Sequence, residues 1–282
     1  MERLSRKFVE SWTWPDCLVA SSSGMVSIMQ AAHFVPTDLA SSIRHAESYP
    51  YARPACSYLF DGGRMLPLPD DAHRDRLPII ASGSNAAPAR LFAKFGNDHR
   101  IPVTRAVLHG FAVVFAGHFT SYGAIPATLC PHPQIATEVW ITWLTPAQLT
   151  IMHQSEGVIG CREAHQRYDF VDLEGIELTL DQHVPVNRAG AYLSRRMLAP
   201  EGDPIRFAEV ATSDGGLEAR SHNAALKLVA RLLQPTVHYH MFMRQVLSTV
   251  GARQALFEKL TPYTLDRSDA LTPSIVDATS VT

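Results

Sequence analysis

The sequence predicts an α+β fold, in which a mixed β-sheet or small β-barrel has helices packed outside it. From residue 77 onward, short runs rich in Val, Ile, Phe and Trp alternate with segments of helical periodicity. The chain has 282 residues, of which 46% are hydrophobic and 18% are charged. It is therefore long enough to bury a substantial core, as one large domain or two small ones.

The first regular elements are a strand, a helix and a further stretch of strand. The run "LPIIA", residues 77–81, predicts a short strand. Residues 86–95 predict a helix that ends at Gly96, with Asn85 as its N-cap. Residues 104–118, "TRAVLHGFAVVFAGH", are rich in Val and Phe and predict one or two strands.

A strand and a capped helix follow. The run "TEVWITWL", residues 137–144, has apolar residues at both its odd-numbered and its even-numbered positions. Because these two sets lie on opposite faces of a strand, the run predicts a strand buried on both faces. Thr145 is a favourable N-cap, Pro146 fits the first helical position, and Gln148 completes a capping box. These residues predict a helix that runs to about Gln154.

The last third of the predicted fold mixes strands with helices. Residues 168–181, "YDFVDLEGIELTLD", predict a β-hairpin with its turn near the Glu-Gly pair at 174–175. Residues 188–196 predict another strand. Helical periodicity returns at residues 218–234, and residues 239–260 predict one further helix or two.

The polar link "DDAHRDR" predicts a domain boundary near residue 76. Residues 1–76 are rich in Pro and Ser, and we expect an accessory segment packed on the main domain or a partly ordered arm. Residues 77–265 form the main domain in this interpretation. Residues 266–282 are a polar tail.

Composition argues against several classes of partner and compartment. The formal net charge is -2, which gives no electrostatic case for nucleic acid or for an anionic membrane surface. Charges occupy the N-terminus where a secretory signal would be apolar, and the chain has no apolar run of 18 residues. The cysteines are scattered without a metal-binding spacing, so we expect reduced thiols and a cytoplasmic protein. They are Cys17, Cys56, Cys130 and Cys161.

The turn between the strand at 77–81 and the following helix is built from small residues. The small side chains of Ser82, Gly83, Ser84 and Asn85 leave the backbone accessible to a ligand. Backbone N–H groups at the start of a helix are suited to binding a carboxylate or a phosphate. A plain tight turn with an asparagine cap explains the same residues. A third interpretation makes Ser84 a nucleophile, because the segment weakly matches a nucleophile elbow.

Glu156 is a candidate general base. It follows the end of a predicted helix and precedes Gly157, and the negative end of the helix dipole should raise the pKa of its carboxyl group. A solvated loop glutamate, no different from Glu163 or Glu174, is the alternative. Metal and nucleotide sites have little support, because His238 and His240 lack an evident third ligand and no phosphate-binding glycine motif is present.

Four motifs in order resemble the gamma-glutamylcyclotransferase family. They span roughly residues 78–200, which is under half of the chain. The family has a Tyr-Gly-Ser-Asn turn after its first strand, then a Gly-x-x-Ala-Thr segment, a Glu-Val-Trp strand and a helix that ends in Glu-Gly. The counterparts are Gly83-Ser84-Asn85, Gly123 with Ala127-Thr128 one residue further on, Glu138-Val139-Trp140, and Glu156-Gly157.

The resemblance implies a small β-barrel flanked by helices, with additional N-terminal and C-terminal parts, whose cavity binds a gamma-glutamyl amide. It implies that Ser82, Gly83, Ser84 and Asn85 bind substrate together with Tyr122, and that Glu156 is the acid/base for release of pyroglutamate. It implies no metal and no cofactor. This sequence departs from the family at Ser82, where the family has tyrosine.

Two other functions stay open at this point. One is a non-catalytic domain of the same fold that binds a small molecule or a protein, and the other is a serine amidohydrolase that uses Ser84. The sequence does not predict an oligomeric state.

Overall fold

The computed structural model describes residues 36–160, 166–181 and 185–270. Eleven strands and seven α-helices are assigned within these ranges. The strands are β1 (Tyr58–Asp61), β2 (Arg64–Leu66), β3 (Leu77–Ala81), β4 (Arg100–Phe115), β5 (Ala127–Leu144), β6 (Tyr168–Leu180), β7 (Pro185–Ser194), β8 (Arg196–Leu198), β9 (Arg206–Phe207), β10 (Ala219–Arg220) and β11 (Thr264–Asp266). The helices are α1 (Leu39–Glu47), α2 (Pro88–Phe95), α3 (Pro146–Ser155), α4 (His222–Leu233), α5 (Tyr239–Ser248), α6 (Val250–Leu260) and α7 (Arg267–Ala270).

Five strands close into a β-barrel. Their order is β4-β5-β3-β7-β6, and β6 then pairs with β4 again. All neighbours are antiparallel except β3 and β7, which are parallel. β4 can bend to take part in two pairings because its register with β5 shifts at Gly110, whose φ of 78° favours glycine. The predicted α+β fold with a small mixed barrel is therefore confirmed.

Helices cover the barrel on two sides. Ile43 of α1, Phe242 of α5 and Leu256 of α6 belong to the main apolar cluster with the inner residues of the barrel. Leu91 of α2 and Met152 of α3 belong to a second cluster against the outer face of β3 and β5. The second cluster matters for function, because it fixes α2 and α3 beside the turn that follows β3.

Several local predictions are confirmed. The strand at Leu77–Ala81 forms as expected, and residues 137–144 of β5 are buried on both faces. Thr145 caps α3, with Gln148 completing the capping box. The segment after residue 238 forms two helices, because Thr249 has extended backbone and caps α6.

The hairpin predicted at residues 168–181 is wrong. This segment is one strand, β6, and its partner is β7 rather than its own second half. The Glu-Gly pair lies in a bulge, where the register with β7 shifts between Glu174 and Leu178. Gly175 has a φ of 68°, so the glycine serves the bulge and not a turn.

Two further expectations are corrected. Asn85 does not cap α2, because a short 3-10 helix occupies Ser84–Ala86 and the N-cap of α2 is Ala87. The expectation of reduced thiols is wrong for Cys56, which is disulfide-bonded, whereas Cys130 is a buried free thiol. Spacing along the chain does not reveal which cysteines approach within bonding distance. The expectation of a cytoplasmic protein therefore loses its support from cysteine usage.

Within the described residues, none of the helices combines the length and the apolar character that crossing a membrane would require.

Candidate functional site

A cavity of about 260 Å³ lies where the turn after β3 faces the end of α3. All six residues that the sequence singled out line it: Ser82, Gly83, Ser84, Asn85, Tyr122 and Glu156. The structure therefore brings the small-residue turn and the candidate base together, although the base lies 71 residues after Asn85. Further residues of the wall include Tyr49, Arg90, Lys94, His118, Arg167, Tyr168 and Tyr192.

The turn is held against the ring of Tyr49, which lies in the segment before β1. The Tyr49 hydroxyl accepts a hydrogen bond from Ala127 N at 2.9 Å, and the Ser84 backbone N–H lies close to it. A Cβ placed on Gly83 would lie 2.1 Å from the Tyr49 oxygen. Gly83 is therefore required for the close approach of the turn to the Tyr49 ring.

Glu156 is the C-cap residue of α3, and its orientation is set by the end of that helix. Its N–H donates to Met152 O at 3.0 Å, and Gly157 then ends the helix with a φ of 70°. The Oε1 atom of Glu156 accepts a hydrogen bond from Asn85 Nδ2 at 3.0 Å and forms an ion pair with Lys94. The Oε2 atom accepts no hydrogen bond from a described residue.

The expected raised pKa of Glu156 is wrong. Burial alone would raise the pKa of its carboxyl group, but the Lys94 ammonium, the Asn85 amide and the Arg90 guanidinium together lower it below its usual range. These neighbours act at contact distance inside the protein, where charges are poorly screened, whereas the helix dipole is a weaker partial charge. Glu156 is therefore held ionised.

Lys94 is the residue that sequence reasoning missed here. It lies in the last turn of α2, its side chain is only 6% exposed, and its Nζ donates to Asn85 Oδ1 at 2.7 Å. Burial lowers the pKa of its ammonium group, although the charge of Glu156 opposes this effect. Lys94 and Asn85 thus hold one oxygen of Glu156, and the other accepts no hydrogen bond from a described residue.

Arg90 supplies a second cation one turn earlier on α2. Its guanidinium lies 4.7 Å from the centroid of the Tyr122 ring, which is a favourable cation–π distance. Its Nε atom is buried and has no hydrogen-bond partner among the described residues. No ion pair joins it to an acidic residue in the described part of the chain. The predicted helix at 86–95 could have revealed this arrangement, because residues four apart share one face of a helix.

Ser84 lacks the partner that a serine nucleophile needs. It is buried, and its hydroxyl lies beside that of Tyr122. His118 lines the same cavity, but its nearest hydrogen-bonding group is the hydroxyl of Ser194, at 3.5 Å from Nδ1. Burial lowers the pKa of His118 to about 3. Since no histidine within the described ranges bonds to Ser84, the geometry does not favour the serine amidohydrolase.

The described residues contain no cluster of three or more His, Cys, Asp or Glu side chains that could hold a metal ion. His238 and His240 lie edge to face with ring centroids 5.3 Å apart.

Comparison with known proteins finds no matching protein family and no matching curated protein. Solved structures similar to part of the chain include a protein of Arabidopsis thaliana, at 14% identity over 43% of this chain and 69% of that chain, with a TM-score of 0.32. A gamma-glutamyl cyclotransferase matches at 18% identity over 42% of this chain and 66% of its own, with a TM-score of 0.33. A yeast gamma glutamyl cyclotransferase specific to glutathione matches at 12% identity over 67% and 97%, with a TM-score of 0.31. Likeness at this level carries no argument about activity, so the case for function depends on the cavity.

Proposed function

We propose that this protein is a gamma-glutamylcyclotransferase-like enzyme, which binds a gamma-glutamyl amide and releases pyroglutamate. One observation carries the proposal: Glu156 lies in the same cavity as the 82–85 turn, with Oε1 held by Asn85 and Lys94 and with Oε2 accepting no hydrogen bond from a described residue. A carboxylate fixed by one oxygen and open at the other is suited to proton transfer.

The proposed reaction is an internal exchange of amides. Glu156 takes a proton from the α-ammonium group of the substrate, and the freed amine attacks the γ-carbonyl carbon. A C–N bond forms and closes a five-membered lactam. The C–N bond to the leaving amine then breaks as Glu156 returns its proton to the leaving nitrogen, and the second proton that the ring nitrogen must lose also passes through Glu156 to that nitrogen, so the amine leaves as an ammonium ion. Atoms balance without water, metal or cofactor.

The low pKa of Glu156 is compatible with this role. When the α-ammonium group of the substrate binds beside Glu156, two cations, the ammonium and Lys94, face one carboxylate in a poorly solvated site. Like charges at short distance lower the pKa of an ammonium group, which favours loss of its proton. The substrate amine is then neutral and nucleophilic although Glu156 itself is a weak base.

Arg90 is suited to the α-carboxylate of a gamma-glutamyl group. The cavity holds Arg90 and Lys94, and Lys94 is already paired with Glu156. An anion is needed to balance Arg90, and a planar guanidinium binds carboxylates through two parallel hydrogen bonds. Tyr122, which packs under Arg90, fixes the plane of that guanidinium.

A non-catalytic binding domain is the second candidate function. The ion pair between Lys94 and Glu156 favours it, because a glutamate with a purely structural or ligand-binding role would also be expected to pair with a buried lysine. In that case the cavity binds a small amide and releases it unchanged.

Pyroglutamate release from a panel of gamma-glutamyl amino acids and amines separates these functions. We expect the wild-type protein to form pyroglutamate and Glu156→Gln to lose at least 100-fold in kcat, a loss in the range attributed to general acid–base catalysis, about 10² to 10⁴. Glu174→Gln is the matched control, because Glu174 is an exposed glutamate of β6 that pairs with Arg188 away from the cavity.

The products and a serine variant decide among the alternatives. Ser84→Ala should still release pyroglutamate, whereas a serine amidohydrolase would release glutamate and stop with this variant. Wild-type turnover in Glu156→Gln would refute the proposed base. Binding of gamma-glutamyl amides without any product would establish the binding domain instead.

A further inference from the structure

A second cavity, of about 530 Å³, is formed by the segment that joins α1 to β1 together with residues of β4 and β5 and with Glu209. Its volume is in the range of pockets that hold a small molecule. Among the described residues, Tyr49 alone lines both this cavity and the first. The 82–85 turn, Arg90 and Glu156 do not reach the second cavity, so it is a separate candidate site.

Two residues of this wall each have a buried hydrogen-bond donor that lacks an acceptor in the described part of the chain. Trp140 is 1% exposed, and its indole Nε1 has no hydrogen-bond partner there. The Nη1 atom of Arg53 is in the same situation, and Arg53 forms no ion pair with a described residue. Buried donors are normally satisfied, because removing them from water without a hydrogen bond is costly. A ligand with an acceptor such as a carboxylate would satisfy both.

The other arginine of the wall already has its partners. Arg105 donates from Nε to Glu138 Oε2 at 2.8 Å and from Nη1 to Ala55 O at 3.2 Å. Arg105 and Glu138 therefore form a neutral pair. Since a guanidinium stays protonated in proteins, Arg53 is the group of this wall that is suited to an anion.

Two further carboxylates line the cavity. Glu47 accepts from the Tyr239 hydroxyl at 3.1 Å, and Glu209 accepts from the His222 backbone N–H at 2.7 Å, each through Oε1. No ion pair joins either carboxylate to a described residue. Burial lowers the pKa of the Arg53 guanidinium, and the charge of Glu209 is among those that oppose this effect. Arg53 and Glu209 thus lie within electrostatic range of each other without an ion-pair contact.

We propose that this second cavity is a binding site for a free α-amino acid with an apolar side chain. The carboxylate of the ligand accepts from Arg53 and Trp140, and its ammonium group faces Glu209. Opposite charges on neighbouring atoms of one ligand can bridge a cation and an anion that do not touch. The apolar side chain packs against Tyr51 and Pro54 of the same wall. Binding requires no turnover, so this inference goes beyond the proposed function and does not depend on it.

Three ligands that share one side chain test the inference. L-Leucine carries both charges, 4-methylpentanoate lacks the ammonium group, and 3-methylbutylamine lacks the carboxylate. In calorimetric titration of the wild type we expect the Kd of L-leucine to be at least about tenfold below that of either analogue, because each charged group adds a charge-assisted hydrogen bond. L-Serine keeps both charges but lacks the apolar side chain, and it should bind about tenfold more weakly than L-leucine.

Variants identify the cavity that L-leucine occupies. Arg53→Gln and Glu209→Gln should each raise its Kd at least about tenfold. Glu209→Gln is the variant to use if Arg53→Gln does not fold, because glutamine can still accept from the His222 backbone N–H. Glu174→Gln, at a 54% exposed glutamate of β6, should leave the Kd unchanged. Arg90→Gln should also leave it unchanged, because Arg90 lines the first cavity and not the second.

Several results would overturn the inference. Loss of L-leucine binding in Arg90→Gln would place the amino acid in the first cavity. Unchanged binding in every folded variant of Arg53 and Glu209 would exclude the second cavity. The inference also fails if L-leucine does not bind at millimolar concentration, or binds no more tightly than its analogues or L-serine. Failure of the proposed function looks different, since it abolishes pyroglutamate release and leaves L-leucine binding intact.

Discussion

Lys94→Met removes the cation beside Glu156 and leaves the carboxylate in place. In the wild type the two side chains are 6% and 16% exposed, so neither charge is well solvated. Loss of the ammonium leaves an ionised carboxylate whose only remaining donor among the described residues is the Asn85 amide. The variant therefore isolates the effect of Lys94 on the charge state of the proposed base.

The expected loss of stability follows from the burial of the pair. Breaking a buried ion pair by removing one partner costs about 3–5 kcal/mol, and protonation of the remaining carboxylate limits this cost. We expect Lys94→Met to lower the free energy of unfolding at pH 7 by about 3 kcal/mol. The double variant Lys94→Met/Glu156→Gln should recover most of this loss, with a coupling of about 2 kcal/mol between the two sites.

The stability of the wild type and that of the Lys94→Met variant should also depend on pH in opposite directions. In the wild type the folded-state pKa of Glu156 is lowered, so its contribution to stability is present above the unfolded value of about 4.3 and is lost as pH falls through the folded-state pKa. Without Lys94, burial raises that pKa above the unfolded value. The variant should then gain stability as pH falls from 7 towards about 4.3.

Urea denaturation at pH 7, at pH 5 and below the unfolded value of about 4.3 measures both effects. Lys259→Met is the control, since Lys259 is an exposed residue of α6 and should change neither stability nor its pH dependence. If the protein is active, the acidic limb of its kcat/KM profile should move to higher pH in Lys94→Met. A Lys94→Met protein with wild-type stability at pH 7, or with the wild-type pH trend, would show that Lys94 does not control Glu156.

Two further substitutions test the walls of the cavity. Gly83→Ala should lower the free energy of unfolding by about 1–3 kcal/mol, because its Cβ would lie 2.1 Å from the Tyr49 oxygen. The loss should be smaller in a Tyr49→Phe background. Additive losses in thermal or urea denaturation would contradict this close approach. His118 has a folded-state pKa of about 3, below the unfolded value of about 6.5, so the wild type should lose stability as pH falls between these values. His118→Phe should reduce that slope by up to about 1.4 kcal/mol per pH unit, and equal slopes in the two proteins would show that His118 is not buried in its neutral form.

Local sequence patterns predicted the elements whose structure depends on their own residues. The capping box at Thr145 and Gln148 defines the start of α3 and thereby the position of Glu156 one residue after its end. The apolar runs in β3 and β5 predicted strands correctly because residues on both faces of these runs are buried. The bulge in β6 could not be predicted, because glycine is favourable both in a turn and in a bulge. The pairing of β6 with β7, which the local sequence does not show, determines that a bulge forms here.

The electrostatics of the site depended on contacts that sequence spacing does not show. Glu156 lies in the cavity wall with the 82–85 turn, but the direction predicted for its pKa shift was wrong because Lys94 lies 62 residues away along the chain. The periodicity of α2 gives the face that Lys94 shares with Arg90. It does not show that α3 packs beside α2 through Leu91 and Met152, which is what brings the lysine to the carboxylate.

At Ser82, too, a residue distant along the chain determines the structure of the cavity wall. The family that the motifs resemble has a tyrosine at this position, where this chain has a serine. Tyr49, from the segment before β1, instead places its ring against the turn and accepts a hydrogen bond from Ala127 N with its hydroxyl. Its ring and the turn after β3 thus form one side of the cavity, so Tyr49 and the 82–85 turn should be treated together when substrate size is altered by mutation.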